Sequence, residues 1–212
     1  MILDKKNAQK FAYEYIRERI LNGTYSGGMK LVEERLADEI GVSRTPIREA
    51  IKTLEQEGLI KKKQVVNPTA QDLIYLYDIR ILLEGFSAKR AAKYMTPDKI
   101  KELESTITKS RSSFLEGHSK EMYNSNQHFH ELIINECQNP LIIEKLEEAR
   151  TIFHLFSLRF DLYSRPNIIE EHEEIYNAIK DKNEELAGEL MAKHLQKDMN
   201  FTLEYIGRRG QY

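Results

Sequence analysis

The chain has 212 residues, enough for two compact domains, and its 41% apolar and 31% charged residues are those of a globular protein rather than a disordered one. A single cysteine, Cys137, excludes an intrachain disulfide and a Cys-rich zinc module. No apolar run approaches the ~20 residues of a bilayer-spanning helix, and the opening MILDKKNAQKF lacks a secretion signal's apolar core; a cytoplasmic protein without a membrane partner is expected. The net charge of −2 is not that of a nucleic-acid binder, yet it is uneven: residues 1–68 hold 13 Lys and Arg against 10 Asp and Glu, leaving 19 against 24 for residues 69–212.

Taken in chain order, Ala8, Phe11, Ala12, Tyr15, Ile16 and Ile20 follow helical spacing up to Asn22-Gly23. A turn-rich stretch leads to a short helix near Glu33–Ile40, which Gly41 ends as a left-handed cap. A second helix starts almost at once, with Ser43 or Thr45 as its cap, Pro46 in its first turn and Ile47, Ala50, Ile51 and Leu54 on its buried face, and runs to Gly58. Leu59-Ile60 and Val65-Val66 flank Lys61-Lys62-Lys63-Gln64 and predict a small hairpin with a basic tip. Asn67-Pro68 breaks the backbone, and the domain boundary is placed there, giving domains of 1–68 and 69–212. From Ala70 onward only helical periods occur, punctuated by Pro97, Gly117, Pro140, Pro166 and a polar turn at Lys180–Glu184. They predict six helices, near 70–94, 97–116, 119–137, 140–162, 166–180 and 184–207. The fold class is mainly α: a winged helix-turn-helix followed by an all-α six-helix antiparallel bundle.

In a helix-turn-helix the second helix enters the major groove N-terminus first, so the chemistry belongs at its start. Here that start reads Ser43-Arg44-Thr45-Pro46-Ile47-Arg48. Arg44 can fork onto guanine or a phosphate, Arg48 shares its face, and the Ser43 and Thr45 hydroxyls suit phosphate oxygens. Arg35 on the preceding helix and Lys62, Lys63 and Gln64 at the hairpin tip complete the DNA-binding set. The stretch Glu33 to Ile51, with Leu54 and Gly58-Leu59-Ile60, resembles the winged-helix signature of the GntR family. The resemblance implies that Arg35, Arg44 and Arg48 contact DNA, assisted by Thr45 and the wing tip. The wing departs from the family pattern, because Lys61–Val66 carries no glycine.

All six histidines follow residue 117. Asn126 and His130, four apart, share one inward face of a helix, whereas His172 and His194 interrupt the apolar stripes of two others. An imidazole on an apolar face is costly unless hydrogen-bonded or metal-bound, so convergence on a divalent metal, zinc or nickel foremost, is the economical reading. His118, His128 and His154 are read as surface or packing residues. The stretches Asn126–His130, Asn139-Pro140, Glu171–Ile179 and Ala192–Leu195 resemble the FCD effector domain of FadR-like GntR regulators. That resemblance implies a metal held by an aspartate and three histidines, matched by Asn126, His130, His172 and His194, with asparagine in the aspartate position.

Asp78 to Glu84 also resembles the family's first effector-domain helix. Arg80 there either faces the cavity, where it clamps a carboxylate, or forms an ion pair with Glu84 along its own helix. Arg150 is a second, weaker effector-binding candidate. The expected protein is a homodimeric regulator of a near-palindromic double-stranded operator, controlled by a small carboxylate metabolite at or beside the metal. Two rivals stand beside it. One is a metallohydrolase, for which no positioned base is found because Glu131 and Glu173 point away from the ligand face. In the other, the metal itself is the signal.

Overall fold

The computed structural model describes residues 5–160 and 165–208, which form nine helices and one two-stranded sheet. The four residues opening the chain and residues 161 and 162, where the sequence extends its fourth bundle helix, lie outside the described residues. Contacts group the chain into two units, Met1–Thr69 with Arg150–Asp161, and Ala70–Ala149 with Leu162–Tyr212.

The first unit contains α1 (Lys5–Leu21), α2 (Glu33–Ile40), α3 (Arg44–Gln56), β1 (Ile60–Lys61) and β2 (Gln64–Val65). Its core is built from Ile16 and Ile20 of α1, Leu36 of α2, and Ile47, Ile51 and Leu54 of α3, closed by Leu59, Ile60 and Val65. Gly41 ends α2 at φ 77°, a left-handed conformation that lets its N–H return to the Ala37 carbonyl. The chain therefore turns within three residues, and α3 buries Pro46, Ile47, Ala50, Ile51 and Leu54 while keeping Arg44, Thr45 and Arg48 outside.

β1 and β2 pair antiparallel, Ile60 opposite Val65 and Lys61 opposite Gln64. Both residues between them are left-handed, Lys62 at φ 51° and Lys63 at φ 56°, the pattern of a two-residue hairpin turn usually given to Asn-Gly. A second edge holds this turn in place. The Leu31 N–H donates to the Lys63 carbonyl at 2.9 Å, and the Val65 N–H donates to Met29 at 3.0 Å. The wing thus forms without the glycine that the family pattern carries.

α7 (Pro140–Phe160) gives its later turns to this first unit. Leu155 joins the apolar core, and His154 Nε2 lies 2.9 Å from the Leu21 carbonyl.

The second unit holds α4 (Ala70–Tyr94), α5 (Pro97–Glu116), α6 (Ser119–Asn135), the start of α7, α8 (Ile168–Lys180) and α9 (Glu184–Arg208). The helix ends follow local chemistry. Thr96 caps α5 by accepting from the Lys99 N–H, Pro97 occupies the first turn, and Gly117 closes the helix at φ 74°. α4 and α9 approach closely at a pair of glycines: a Cβ on Gly188 would lie 3.0 Å from the Gly85 carbonyl oxygen. That approach brings Glu84, beside Gly85, and His194, less than two turns beyond Gly188, into one polar cluster. On another face of α4, Tyr75, Ile79, Leu82 and Phe86 form an exposed apolar stripe at helical spacing. Among the described residues, no helix is long and apolar enough to cross a membrane.

Candidate functional site

The start of α3 presents the predicted DNA-binding residues to solvent. Ser43, Arg44, Thr45 and Arg48 are exposed, as are Arg35 and the wing residues Lys62, Lys63 and Gln64. Ser43 is the extended residue before α3 and makes no capping hydrogen bond with its side chain. Two glutamates at the start of α2 organise this face. Arg44 pairs with Glu34. Arg48 donates through Nε and Nη2 to Glu33 Oε2, at 3.2 and 3.1 Å, while Lys63 Nζ reaches Glu33 Oε1 at 2.7 Å. One carboxylate therefore ties α2, the recognition helix and the wing together, and the bonds from Lys63 and then Arg48 hold it below the usual carboxylate range.

The three inward histidines meet in the second unit. His130 of α6, His172 of α8 and His194 of α9 are all buried, and one ring nitrogen of each lies within 4.8 Å of the others. His194 Nε2 is 3.3 Å from both His130 Nε2 and His172 Nε2. The opposite nitrogens decide what these contacts are. His130 Nδ1 lies 2.7 Å from Glu84 Oε2, and His194 Nδ1 lies 2.9 Å from Glu171 Oε2. A carboxylate only accepts, so each Nδ1 carries the hydrogen, and in a neutral ring the Nε2 then presents a lone pair. Arg165 Nη2, 3.2 Å from His194 Nδ1, cannot donate to a nitrogen already protonated; it donates to Glu171 and to the His194 carbonyl.

In neutral rings two lone pairs facing each other at 3.3 Å repel unless a proton or a metal cation lies between them. Tetrahedral zinc with bonds of about 2.0–2.1 Å separates its nitrogens by about 3.3 Å, so the spacing suits a shared ion. Carboxylates behind the imidazoles are the supports that metal-binding histidines use. Asn126, one turn before His130, adds another sign, since its Oδ1 is buried without a hydrogen-bond partner. The residues present fit a divalent metal.

Charges around the histidines are balanced in pairs. Burial pushes the Glu84 carboxyl up, but Arg80 and His130 outweigh it and hold it down at about 2. Arg80 Nε donates to Glu84 Oε1 at 2.6 Å, so this arginine forms the ion pair with Glu84 and lies beside the histidine cluster at once. Burial likewise opposes ionisation of Glu171, yet bonds from His194, Arg165 and Lys197 keep it well below the usual range. Arg165 also pairs with Asp198, whose Oδ2 is 3.8 Å from His194 Nε2. His172 stacks on Phe129 with 3.9 Å between ring centroids.

The remaining sequence candidates have their own surroundings. Arg150 is half-buried on the part of α7 that groups with the first unit. His118 pairs with Glu116 at the surface, and exposed His128 lies 3.7 Å from Glu102 and 3.6 Å from Glu131. Glu173 pairs with Arg111. The sequence reading missed Glu33, Glu34, Glu171, Arg165 and Asp198 as parts of the two sites. For Glu171 a signal existed: it shares a motif with His172 and lies one turn from Ile168 and Ile175 on a mostly apolar helix.

Comparison with known proteins agrees with both units. Residues 8–66 match the family described as bacterial regulatory proteins, gntR family, and residues 75–197 match the FCD domain. The chain is 30% identical over 195 residues to the uncharacterized HTH-type transcriptional regulator YdhC of Bacillus subtilis (strain 168), covering 88% of this chain and 87% of the relative. It is 31% identical over 188 residues to the gluconate operon transcriptional repressor of the same organism, covering 84% and 77%. Its fold is similar to that of E. coli McbR/YncC, with TM-score 0.72, 22% identity and coverage of 92% and 96%. It is likewise similar to a protein from Rhodococcus sp. RHA1 described as a GntR transcriptional regulator, with TM-score 0.73, 21% identity and coverage of 94% and 97%. The chain belongs to the GntR family of bacterial regulatory proteins and carries an FCD domain, which makes it a transcription regulator and not an enzyme.

Proposed function

We propose that the chain works in the cytoplasm as a homodimeric repressor or activator whose affinity for a near-palindromic operator is set by a small organic acid bound at or near a divalent metal ion. The observation that carries this reading is the pair of Nε2 atoms, on His130 and His194, 3.3 Å apart in a buried cluster with His172, while both Nδ1 atoms face carboxylates. His130, His172, His194 and Asn126 would hold the ion, and imidazole donors favour zinc or nickel over magnesium or calcium. The ion supplies a fixed positive centre for a carboxylate. Arg80 and Arg165 lie beside it, each paired with carboxylates, and one relative is named for the operon of an organic acid, gluconate.

On the DNA side, Arg44 and Arg48 read bases from the start of α3, with Ser43, Thr45, Arg35 and the wing residues Lys62, Lys63 and Gln64 on the backbone. The apolar stripe Tyr75, Ile79, Leu82 and Phe86 of α4 is the surface that a second copy covers. Two recognition helices related by a two-fold axis would then address half-sites about 34–36 Å apart. The test is an operator, selected from random duplexes, titrated at one fixed salt concentration. Arg44→Ala and Arg48→Ala should each weaken binding about 5- to 150-fold, the cost of 1–3 kcal/mol for a lost bidentate base contact. Unchanged affinity in both variants refutes the assignment of the reading helix.

A further inference from the structure

We propose that Glu34 is a specificity-determining residue of the DNA-reading surface, its carboxylate accepting a hydrogen bond from the cytosine amino group of the base pair whose guanine Arg44 reads. This role rests on α3 being the reading helix, as proposed above, and adds a side chain from α2 to the groups that distinguish bases.

The two glutamates that open α2 are held differently. The Glu33 side chain is 15% exposed and fixed between Arg48 and Lys63, whereas that of Glu34 is 65% exposed and its carboxylate rests on Arg44, the exposed first residue of α3. Glu33 therefore ties the unit together, while Glu34 stands in solvent at the tip of the reading helix. Both serve the dipole of α2, whose first turn they occupy. The dipole does not explain why a carboxylate lies against a base-reading arginine.

On DNA such a carboxylate opposes binding unless it finds a donor. Once the Arg44 fork turns to guanine O6 and N7, Glu34 is left with an unpaired negative charge among phosphates that repel it. In the major groove the donors on base edges are cytosine N4 and adenine N6. The donor beside guanine O6 is the N4 amino group of its own cytosine, so a guanidinium and a carboxylate that lie side by side match the acceptors and the donor of one G·C pair. An A·T pair lacks the two adjacent acceptors that the fork fills, and a reversed pair meets the guanidinium with its donor. Glu34 thus converts a preference for guanine on one strand into a preference for the whole base pair in one orientation.

The experiment takes the full-length protein and an operator selected from random duplexes by the wild type, titrated at one fixed salt concentration. Each cytosine of the half-site is replaced in turn by N4-methylcytosine, which keeps its pairing with guanine but puts a methyl group in place of the amino hydrogen facing the groove. At one cytosine the replacement should weaken wild-type binding about fivefold or more, the lower end of what a wrong base pair costs. Glu34→Ala should bind that methylated duplex and the unmodified one equally. The guanine paired with this cytosine should be the one whose substitution Arg44→Ala tolerates. The wild-type scan needs no variant to fold, and wild-type binding that is indifferent to methylation at every cytosine overturns the proposal. So does a Glu34→Ala protein as sensitive to methylation as the wild type. In both cases weaker operator binding by Arg44→Ala leaves the reading helix in place. If Arg44→Ala and Arg48→Ala bind the operator as the wild type does, the reading helix and the proposal fall together.

Discussion

His172 has an environment unlike that of its two partners. It is stacked against Phe129 and buried, and burial, followed by the nearby His194 and His130, pushes its pKa well below the usual 6.5. His130 is lowered in the same direction, burial outweighing the attraction of Glu84. The sign of the consequence follows from linkage. Below about pH 6.5 the unfolded chain takes up protons that the folded, metal-free protein refuses, so stability falls as the solution is acidified. Glu84 acts later: held at about 2 against a usual 4.5, it contributes stability that is complete above 4.5 and lost as the pH falls towards 2. Calorimetry on chelator-treated protein should therefore show a melting temperature that declines from pH 6.5 downward and declines further below 4.5. A flat profile between pH 7 and 4 would count against His130 and His172 resisting protonation in the folded state. The histidines themselves were legible in the sequence, because a polar residue interrupting an apolar stripe is a local pattern. Which carboxylate supports which imidazole was not, even though Glu171 stands out beside His172, since each Nδ1 finds its carboxylate on a different helix.

Among the elements, the wing shows most clearly where local rules stop. The apolar pairs Leu59-Ile60 and Val65-Val66 predict a hairpin, but nothing in Lys61–Gln64 predicts two consecutive left-handed residues. That conformation costs about 1–2 kcal/mol for each non-glycine residue. It persists because Lys63 and Val65 are also bonded to Leu31 and Met29, more than thirty residues earlier in the chain. Asparagine tolerates the left-handed region better than lysine, so Lys62→Asn should stabilise the hairpin by about 0.5–1 kcal/mol while leaving the Lys63 pair with Glu33 in place. Slower amide exchange at Val65 and Val66 is the expected readout, and unchanged or faster exchange would contradict the strain argument. Helix ends, by contrast, are legible almost to the residue where a glycine or proline marks them, as at Gly41, Pro97, Gly117 and Pro140. The later turns of α7 carry no such mark, and their grouping with the first unit depends on the packing of Leu155 and the His154 bond rather than on local pattern.

At the scale of the whole molecule, the proposed homodimer has two reading heads, and the most exposed member of the α4 stripe, Leu82 at 73%, is the place to test how they would be joined. Leu82→Glu puts a charge into the surface proposed to close against a second copy, and it should shift the protein to a monomer in analytical ultracentrifugation. Operator affinity should fall with it, because each head then binds one half-site alone. A variant that remains dimeric would move the interface elsewhere. The fold class was open to sequence reasoning because both halves are built from short-range periodicity. What the sequence hid was the acidic lining beneath the recognition helix. Glu33 and Glu34 act as internal counter-ions for Arg44, Arg48 and Lys63. Where these cations meet DNA as proposed, each exchanges a carboxylate for a phosphate or a base, so the contact is worth less than that of an unpaired charge. On that reading a sequence that fills the guanidinium forks gains most from the exchange, and a mismatched one is held more loosely.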